Sequence, residues 1–557
     1  MDNIRLLLLM ALAFVSLLLW EAWEKDHAAP PEQQAVEQTV QNAGSPEMAG
    51  TTPDAAAIPD VSTSTLPAHP SVPSEPTPAA SNDLVRVRTD TLDLKIDPRG
   101  ATIVQARLTN YPVSVDQPNT ETRLLSRDPK DFFIAQSGLL SSDKENAPTH
   151  QAIFTTSAKE YFLGKNDKSL TVDFNWTSPT GVKVTKRFTF TPDVHSFSMQ
   201  QIVENGSASP WKGREYRQLQ RGEPQVKQGP GMMYTYTGGA IYTPEEKYRK
   251  YKFEKLGEGE PNLDVKGGWI AMIQHYFLAA FVPPQNDIDH FYGKSVSKDR
   301  FVLGMYSQEK TVAPGEKASF DGTVLIGPKL TKELSKVAPG LDLTVDYGWL
   351  VVLAKPIHWI LEQINGFVHN WGWTIIIFTI LIKGAFFKLS ETSYKSMANM
   401  RKLGPRIQAL KDRYGDDKQR MQQAMMEMYK KEKINPLGGC LPMVVQIPFF
   451  IALYWVLLEN VEMRQAPWIL WIKDLSVKDP YFVLPVIMAL AMFVQQKLNP
   501  APPDPMQAKI MSFLPLVFGF MFAFFPSGLV LYWVVNNILS ITQQWIITRR
   551  IEQGAKV

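Results

Sequence analysis

Cysteine is almost absent from this chain, in which Cys440 is the single cysteine among 557 residues. One thiol excludes an intrachain disulfide, so any extracytoplasmic domain must be stabilised by its own hydrophobic core. The sequence also lacks a nucleotide-binding phosphate loop, residues at metal-ligand spacing and a convincing nucleophile motif. We therefore predict a protein that is not an enzyme, with no catalytic residues, no metal and no cofactor.

A large excess of one charge is also missing, because 58 Lys and Arg residues nearly balance 55 Asp and Glu residues. Polar and apolar residues are instead segregated along the chain: residues 21–340 are mostly polar and residues 349–548 mostly apolar. A length of 557 residues also exceeds that of one ordinary domain. This pattern predicts a large polar domain joined to a membrane-embedded part.

Six apolar segments are each close to the roughly 20 residues with which a helix crosses a bilayer. After the N-terminal run they lie at 367–387, 437–458, 481–498, 510–525 and 528–547. Arg5 precedes the N-terminal run and Trp20 and Trp23 follow it, which favours an uncleaved signal anchor over a cleaved signal peptide. The loop 388–433 and the C-terminal tail are rich in Lys and Arg, so we expect both of them, and both termini, in the cytoplasm.

The predicted fold class is an α-helical polytopic membrane protein of six spans with a large extracytoplasmic antiparallel β-sandwich. Apolar residues that alternate with polar ones, as at Val182, Val184, Phe188 and Phe190, indicate the sandwich. The predicted order is a signal-anchor helix over 1–23, a disordered outer linker over 24–80, the β-sandwich over 81–340, an interfacial amphipathic helix over 345–365, the second span over 366–388, a cytoplasmic helical hairpin over 389–435, spans three to six over 436–548 and a cytoplasmic tail over 549–557.

Lys383 is a lone cation inside the second predicted span, with Thr379 one turn before it on the same helical face. Further polar positions are Gln446 in the third span and, at helical spacing in the last span, Trp533, Asn536, Asn537 and Ser540. Polar groups in hydrocarbon need partners or water, so we predict a hydrated groove lined by these residues. Helix–helix hydrogen bonding and snorkelling of Lys383 to the membrane surface are the alternatives.

The depth of Lys383 indicates on which side this groove opens. Lys383 follows Trp371, at the expected outer interface, by twelve residues, which corresponds to about 18 Å of helix rise. It therefore falls in the inner half of the membrane, and the predicted groove opens toward the cytoplasm.

The predicted hairpin combines an apolar stripe with a basic outer face, and Gly404-Pro405 should kink its first helix. Its stripes could simply pack on each other, and its basic face could be solvated or could contact lipid phosphates, ribosomal RNA or a targeting factor. The candidate partner-binding residues are Met397, Met400, Arg401, Lys402, Arg406, Lys411, Arg413, Asp416 and Asp417.

Several long segments resemble the YidC/Oxa1/Alb3 membrane-protein insertase family, and most closely its Gram-negative branch. They are KINPLGGCLPMVVQIPFFIALY (433–454), VEMRQAPWILWIKDLS (461–476), DPMQAKIMSFLP (504–515), FPSGLVLYWVVNN (525–537) and the turn GDDKQR (415–420). The resemblance implies a core of five spans around a groove open to cytoplasm and lipid, in the cell inner membrane, with the outer domain in the periplasm. That outer domain is similar to a β-supersandwich of sugar-mutarotase type.

The resemblance also implies residue roles and partners. The family's groove cation, usually Arg, falls on Lys383, its polar position one turn earlier on Thr379, and its Tyr in the last span on Trp533. Lys keeps the charge but lacks the bidentate geometry of Arg. The implied partners are nascent membrane proteins, the Sec translocon with its accessory subunits, the ribosome, signal-recognition targeting factors and membrane lipids, with no nucleic acid as substrate.

Two other functions are weighed against insertion. An intramembrane Ser–Lys protease would pair Ser527 with Lys383, although helix rise separates these residues by about 10 Å or more of depth. A solute transporter would place Lys383 in its substrate site, although the spans show no internal repeat. In the outer domain His275 and His290 are the candidates for catalysis, and two ordinary histidines are the simpler interpretation.

Overall fold

The computed structural model describes residues 83–224, 235–415, 417–432, 441–499 and 505–553. The predicted signal anchor over 1–23 and linker over 24–80 lie outside the described residues, as do Asp416 and Cys440. The described chain begins with a β-sandwich and continues into a helical region.

The first sheet of the sandwich runs in the order β13-β16-β17-β10-β5-β3-β2-β1-β6, with β18 paired to β10 and β4 to β3. Its pairings are antiparallel apart from the parallel pair of β1 and β6. Its strands are β1 (Val85–Arg88), β2 (Leu92–Asp97), β3 (Thr102–Ser114), β4 (Gln117–Leu125), β5 (Phe133–Leu140), β6 (Glu160–Phe162), β10 (Trp211–Gly222), β13 (Asn262–Lys266), β16 (Ile288–Ser297), β17 (Arg300–Ser307) and β18 (Lys310–Val312).

The second sheet is antiparallel, in the order β12-β11-β14-β15-β19-β9-β8-β7. Its strands are β7 (Leu170–Thr177), β8 (Val182–Phe190), β9 (Ser196–Asn205), β11 (Gly238–Thr243), β12 (Lys247–Tyr251), β14 (Trp269–Ile273), β15 (Phe277–Val282) and β19 (Lys317–Pro328). In β8 every second side chain is buried, as the sequence alternation predicts for a strand with one face on a core.

Eleven α-helices lie in the described parts of the chain, and their bounds differ from those of the apolar segments. They are α1 (Phe253–Gly257), α2 (Thr331–Val337), α3 (Val351–Val368), α4 (Trp371–Ala385), α5 (Phe387–Lys402), α6 (Gly404–Tyr414), α7 (Lys418–Lys431), α8 (Leu441–Glu459), α9 (Val483–Leu498), α10 (Pro505–Phe522) and α11 (Ser527–Glu552). The helix is interrupted at Leu403, directly before Gly404-Pro405, so α5 and α6 are separate helices.

Helix α3 is amphipathic. Its inner side is formed by Ala354, Ile357, His358 and Leu361, which are buried. Its other side exposes large apolar residues: Val352, Trp359 and Phe367, preceded by Trp349 in the 3-10 turn Gly348–Leu350. An exposed row of Trp and aliphatic side chains is typical of a helix that lies at a membrane surface.

Helices α4 and α5 form one bent unit. Within the described residues no single helix is both long and apolar enough to cross a bilayer, whereas Trp371–Ala385 together with Phe387–Met400 satisfies length and composition. The two helices meet at an angle of 67°. The predicted second span over 366–388 therefore corresponds to a helix that ends at Ala385 and is followed by a sharp turn.

The sandwich and the helices share a packed junction. One cluster of buried apolar residues extends from Trp269 and Leu278 of the second sheet to Leu453 of α8 and Val530 of α11. A buried ion pair joins Lys329, just after β19, to Glu459 at the end of α8, with Nζ 2.9 Å from Oε2. The junction attaches the sandwich to α8 and α11.

A second polar contact fastens the loop after α8 to the β3–β4 hairpin. The Arg464 guanidinium donates to the carbonyl oxygens of Pro112 (2.7 Å) and Val113 (3.0 Å), and the Gln465 amide donates to Pro112 O at 2.8 Å. Because these bonds end on backbone carbonyls, they hold the hairpin itself rather than one flexible side chain.

Candidate functional site

A cavity of about 460 Å³ lies between helices α4, α5, α8, α9, α10 and α11. Most of the polar residues predicted for a groove meet there: Lys383, Gln446, Asn536, Asn537 and Ser540, together with Trp533. Other polar side chains around it are Ser390, Ser393, Gln495, Gln496 and Asn499, and among its apolar side chains are Met397, Met488, Met492, Met511, Phe450 and Phe518. The cavity thus combines amides and one cation with flexible thioethers.

Lys383 lies in the last turn of α4 and is 5% exposed. Its Nζ donates to the Ser540 hydroxyl of α11 at 2.7 Å, and that hydroxyl in turn donates to Asn536 O at 2.7 Å. An ammonium has three N–H donors, so within the described part of the chain two remain for water or a ligand in the cavity. Ser540 thereby fixes the cation while leaving part of its hydrogen-bonding capacity unused.

Trp533 forms an aromatic wall of the same cavity. Its ring packs edge-on against Phe450 of α8, with centroids 4.7 Å apart, and against Phe522 of α10, with centroids 5.6 Å apart. Such contacts fix the ring orientation. The indole Nε1 is buried and has no hydrogen-bond partner among the described residues.

Thr379 lies elsewhere. It is one turn before Lys383 on α4, is 1% exposed, and donates its hydroxyl to Ile375 O of its own helix at 2.6 Å. Among the described residues it does not line the cavity. Thr379 is therefore a buried residue whose hydroxyl is bound to its own helix, although it shares a helical face with Lys383.

The candidate hairpin residues that the structure describes lie on α5, on α6 and at the N-terminal cap of α7. Met397 of α5 lines the cavity, although the sequence pattern assigned it to the hairpin. Arg406 of α6 pairs with Glu432 after α7 at 2.6 Å, and Asp417 caps α7 by accepting from Arg420 N at 3.1 Å. Met400 is partly buried and Lys402 and Arg413 are exposed, while the side chains of Arg401 and Lys411 lie outside the described residues.

Sequence reasoning missed the amides of α9. Met488, Met492, Gln495, Gln496 and Asn499 follow one another by four, three, one and three residues, so they form a single stripe along the helix and its end. The Gln544 amide of α11 donates to Asn499 Oδ1 at 3.0 Å and thereby joins this stripe to the polar row of the last helix. The i, i+4, i+7 spacing in the sequence could have identified it.

The candidate catalytic side chains have structural partners. His275 hydrogen-bonds through Nε2 to Leu458 O at 2.9 Å, in the junction. His290 contacts Asp264 at 2.7 Å and Asn262 at 2.8 Å and stacks on Tyr306. No group of three or more His, Cys, Asp or Glu residues that could hold a metal is found in the described parts of the chain.

Ser527 is far from Lys383. Its hydroxyl donates to Asp474 O at 3.0 Å and it begins α11, thirteen residues before Ser540. At 1.5 Å per residue this is roughly 20 Å along the helix axis. Since Lys383 is hydrogen-bonded to Ser540, proton transfer between Ser527 and Lys383 is geometrically excluded.

Comparison with known proteins identifies the family to which this chain belongs. The family model described as "60Kd inner membrane protein" matches residues 363–554, and the one described as "YidC periplasmic domain" matches residues 84–360. A curated relative from Methylococcus capsulatus, named membrane protein insertase YidC, is 50% identical over 557 residues, covering 100% of this chain and 99% of the relative. This chain belongs to the YidC family of membrane protein insertases.

Solved structures give more distant likenesses. A crystal structure titled as an active YidC insertase with its first transmembrane domain resolved is 18% identical, with a TM-score of 0.39, and covers 83% of this chain and 92% of that one. A galactose mutarotase-like protein from Lactobacillus casei is 10% identical, with a TM-score of 0.32, over 44% of this chain and 99% of that one. Family membership follows from the full-length relative, and the protease and transporter alternatives have no support.

Proposed function

We propose that this protein inserts integral membrane proteins into the cell inner membrane and helps them to fold, using the cavity around Lys383 as a hydrophilic groove. The observation that carries the proposal is a buried cation fixed by Ser540 inside a cavity lined by both amides and apolar side chains. A buried cation in a membrane is costly and is typical of a functional site. Membership of the insertase family supports the same function.

The groove lowers the barrier that a client's polar tail meets in the membrane. A polar segment loses its hydrogen bonds to water when it enters hydrocarbon, and this costs several kcal/mol for each unpaired group. A wet cavity shortens the apolar distance, and the cation at Lys383 attracts acidic residues of the tail. The apolar helix of the client then leaves sideways into lipid, driven by burial of its own surface.

The proposed topology has six spans, with both termini in the cytoplasm, the β-sandwich in the periplasm and the groove open to the cytoplasm. The basic loops on one side of the apolar segments support this orientation. Helix α3, with Val352, Trp359 and Phe367 exposed and Trp349 exposed in the turn before it, fits the outer interface between the sandwich and the bilayer. The 67° bend directly after α4 supports a change of chain direction just beyond Lys383, near the proposed cytoplasmic side.

The proposed partners are nascent membrane proteins, the Sec translocon with its accessory subunits, the ribosome, signal-recognition targeting factors and lipids. Exposed basic residues on the hairpin, such as Lys402 and Arg413, support contact with an anionic surface at the mouth of the groove. No bond of the client is made or broken in this mechanism, so we propose no catalytic residue.

The test is reconstitution of the purified full-length protein into protein-free liposomes, with protease protection of a short single-span client as the readout. We expect Lys383→Arg to retain insertion, because charge is kept, and Lys383→Glu to lose most of it, because acidic tail residues are then repelled. Lys388→Glu is the matched control, since it makes the same charge change at an exposed position five residues further along.

Each outcome of this experiment tests a different part of the proposal. Equal insertion by wild type, Lys383→Arg and Lys383→Glu would refute the charge-dependent groove while retaining an insertase. Insertion only when a translocon is added would show that the protein does not act alone. An absence of insertion under both conditions would contradict the proposed function.

A further inference from the structure

Several buried polar atoms beside the cavity lack hydrogen-bond partners. Among the described residues these atoms are Trp533 Nε1, Asn537 Nδ2 and Gln496 Oε1 in the lining, and Gln544 Oε1 further along α11. Asn537 is 4% exposed and Gln544 is 3% exposed. Unpaired buried polar groups are rare in native proteins, and each requires an explanation such as water or a ligand.

These polar groups are uncharged, and they include both hydrogen-bond donors and hydrogen-bond acceptors. The Trp533 indole is a donor, and each amide side chain has both a donor and an acceptor end. An acidic ligand would be matched by donors or cations alone, whereas a polypeptide main chain presents N–H and C=O groups together. The set therefore fits the main chain of an extended peptide better than it fits any one type of side chain.

The spacing on α11 agrees with an extended peptide. Trp533 and Asn537 are four residues apart, which is about 6 Å along the helix, and Ser540 and Gln544 repeat this step. Residues that face the same way on an extended chain are about 6.6 Å apart. The amide stripe of α9 lies opposite this row and is joined to it by the Gln544–Asn499 hydrogen bond.

We propose that the row Trp533, Asn537 and Gln544, with Gln496 opposite, hydrogen-bonds the main chain of the client's polar tail in extended form. This inference rests on the proposed function and specifies what the groove recognises. The main chain is common to all clients, so an amide row accepts tails of unrelated sequence. Lys383 then adds a preference for acidic side chains and is not required for main-chain binding.

A pair of chemically synthesised clients tests the inference. Both have the same single span and the same side chains, but in one of them every second amide of the tail is replaced by an ester, which removes N–H donors. Solvation alone would favour membrane entry of the ester client, since fewer donors lose water. We expect the reverse with the full-length protein in liposomes: a three- to tenfold lower insertion rate for the ester client, the loss of one or two hydrogen bonds.

Single-residue variants show which side chains cause the difference in insertion rate between the amide and ester clients. Gln496→Leu and Gln544→Leu keep the approximate size but remove the acceptor oxygens for the client's N–H groups, so both should slow the amide client three- to tenfold and abolish most of the difference between the two clients. Trp533→Phe removes a donor to the client's C=O groups, which both clients have, and should slow both clients. Thr542→Val is the control: it removes a hydroxyl from an exposed position of the same helix and should keep that difference. Gln496→Asn, which retains an amide oxygen, controls for altered folding and should keep part of the difference.

Three results would overturn the inference: equal insertion of amide and ester clients by wild type, faster insertion of the ester client, or an unchanged client difference in both Gln496→Leu and Gln544→Leu. The proposed function fails in a distinguishable way, because then wild-type protein inserts neither client above the level of empty liposomes.

Discussion

The ion pair between Lys329 and Glu459 gives the sharpest prediction about the junction of sandwich and helices. Its side chains are 3% and 6% exposed and the charged atoms are 2.9 Å apart. Lys329→Met removes one partner and leaves a buried carboxylate without its cation, which costs about 3–5 kcal/mol. We therefore expect Lys329→Met to destabilise the attachment of the sandwich far more than the loss of a surface contact would.

The double variant Lys329→Met/Glu459→Leu decides whether the effect comes from the unpaired charge. Replacing a whole buried pair by apolar residues of similar volume is often neutral or stabilising, so the double variant should recover most of the lost stability. The matched control is Lys317→Met, which breaks an exposed pair with Glu204 whose side chains are 64% and 39% exposed. An exposed pair contributes about 0–1 kcal/mol.

The assay is thermal and denaturant unfolding of the detergent-solubilised full-length protein, combined with limited proteolysis near residues 329 and 459. Single variants should unfold earlier and be cleaved faster, whereas the double variant should behave like wild type. The reasoning is refuted if Lys329→Met is no more destabilising than Lys317→Met, or if the double variant loses the sum of the two single effects.

Two further predictions concern packing and pH. A Cβ on Gly372 of α4 would lie 2.1 Å from Trp468 Cδ1, so Gly372→Ala should lower the free energy of unfolding by about 1–3 kcal/mol. Gly384→Ala on the same helix has open space around its Cβ position and should not destabilise the protein. Unfolding midpoints of the two variants test this difference. Burial lowers the pKa of His275 to about 4, helped by Lys329 and Arg464, so the unfolded chain binds the extra proton between pH 6.5 and 4. Stability should fall over that range by up to about 3 kcal/mol more in wild type than in His275→Gln; equal pH profiles would contradict this.

Strand alternation predicted the sandwich and a polar stripe predicted much of the cavity lining, because both signals are local. Asn536, Asn537 and Ser540 repeat at helical spacing within one segment, and these positions do meet Lys383 around one cavity. The family and its insertase function are confirmed by the full-length relative. The roles of the individual groove residues and the six-span topology stay predictions.

Other features depend on how helices meet, which periodicity within one helix does not encode. Thr379 shares a face with Lys383, yet among the described residues it is buried outside the cavity lining, and its hydroxyl donates to the backbone of its own helix. The 67° turn after Ala385 brings Met397 of α5 to the cavity rather than to the hairpin. Similarly, the partners Lys329 and Glu459 are brought together only by the tertiary fold.

The separation of that pair along the chain has a consequence for biogenesis. Lys329 and Glu459 are 130 residues apart, which a ribosome adds in roughly 6 to 26 s at 5–20 residues per second. During that interval the described strands, the last of which ends at Pro328, are already synthesised, but the carboxylate that neutralises Lys329 is not. The sandwich can therefore complete its junction with the helices only after α8, a helix that lines the cavity, has been synthesised.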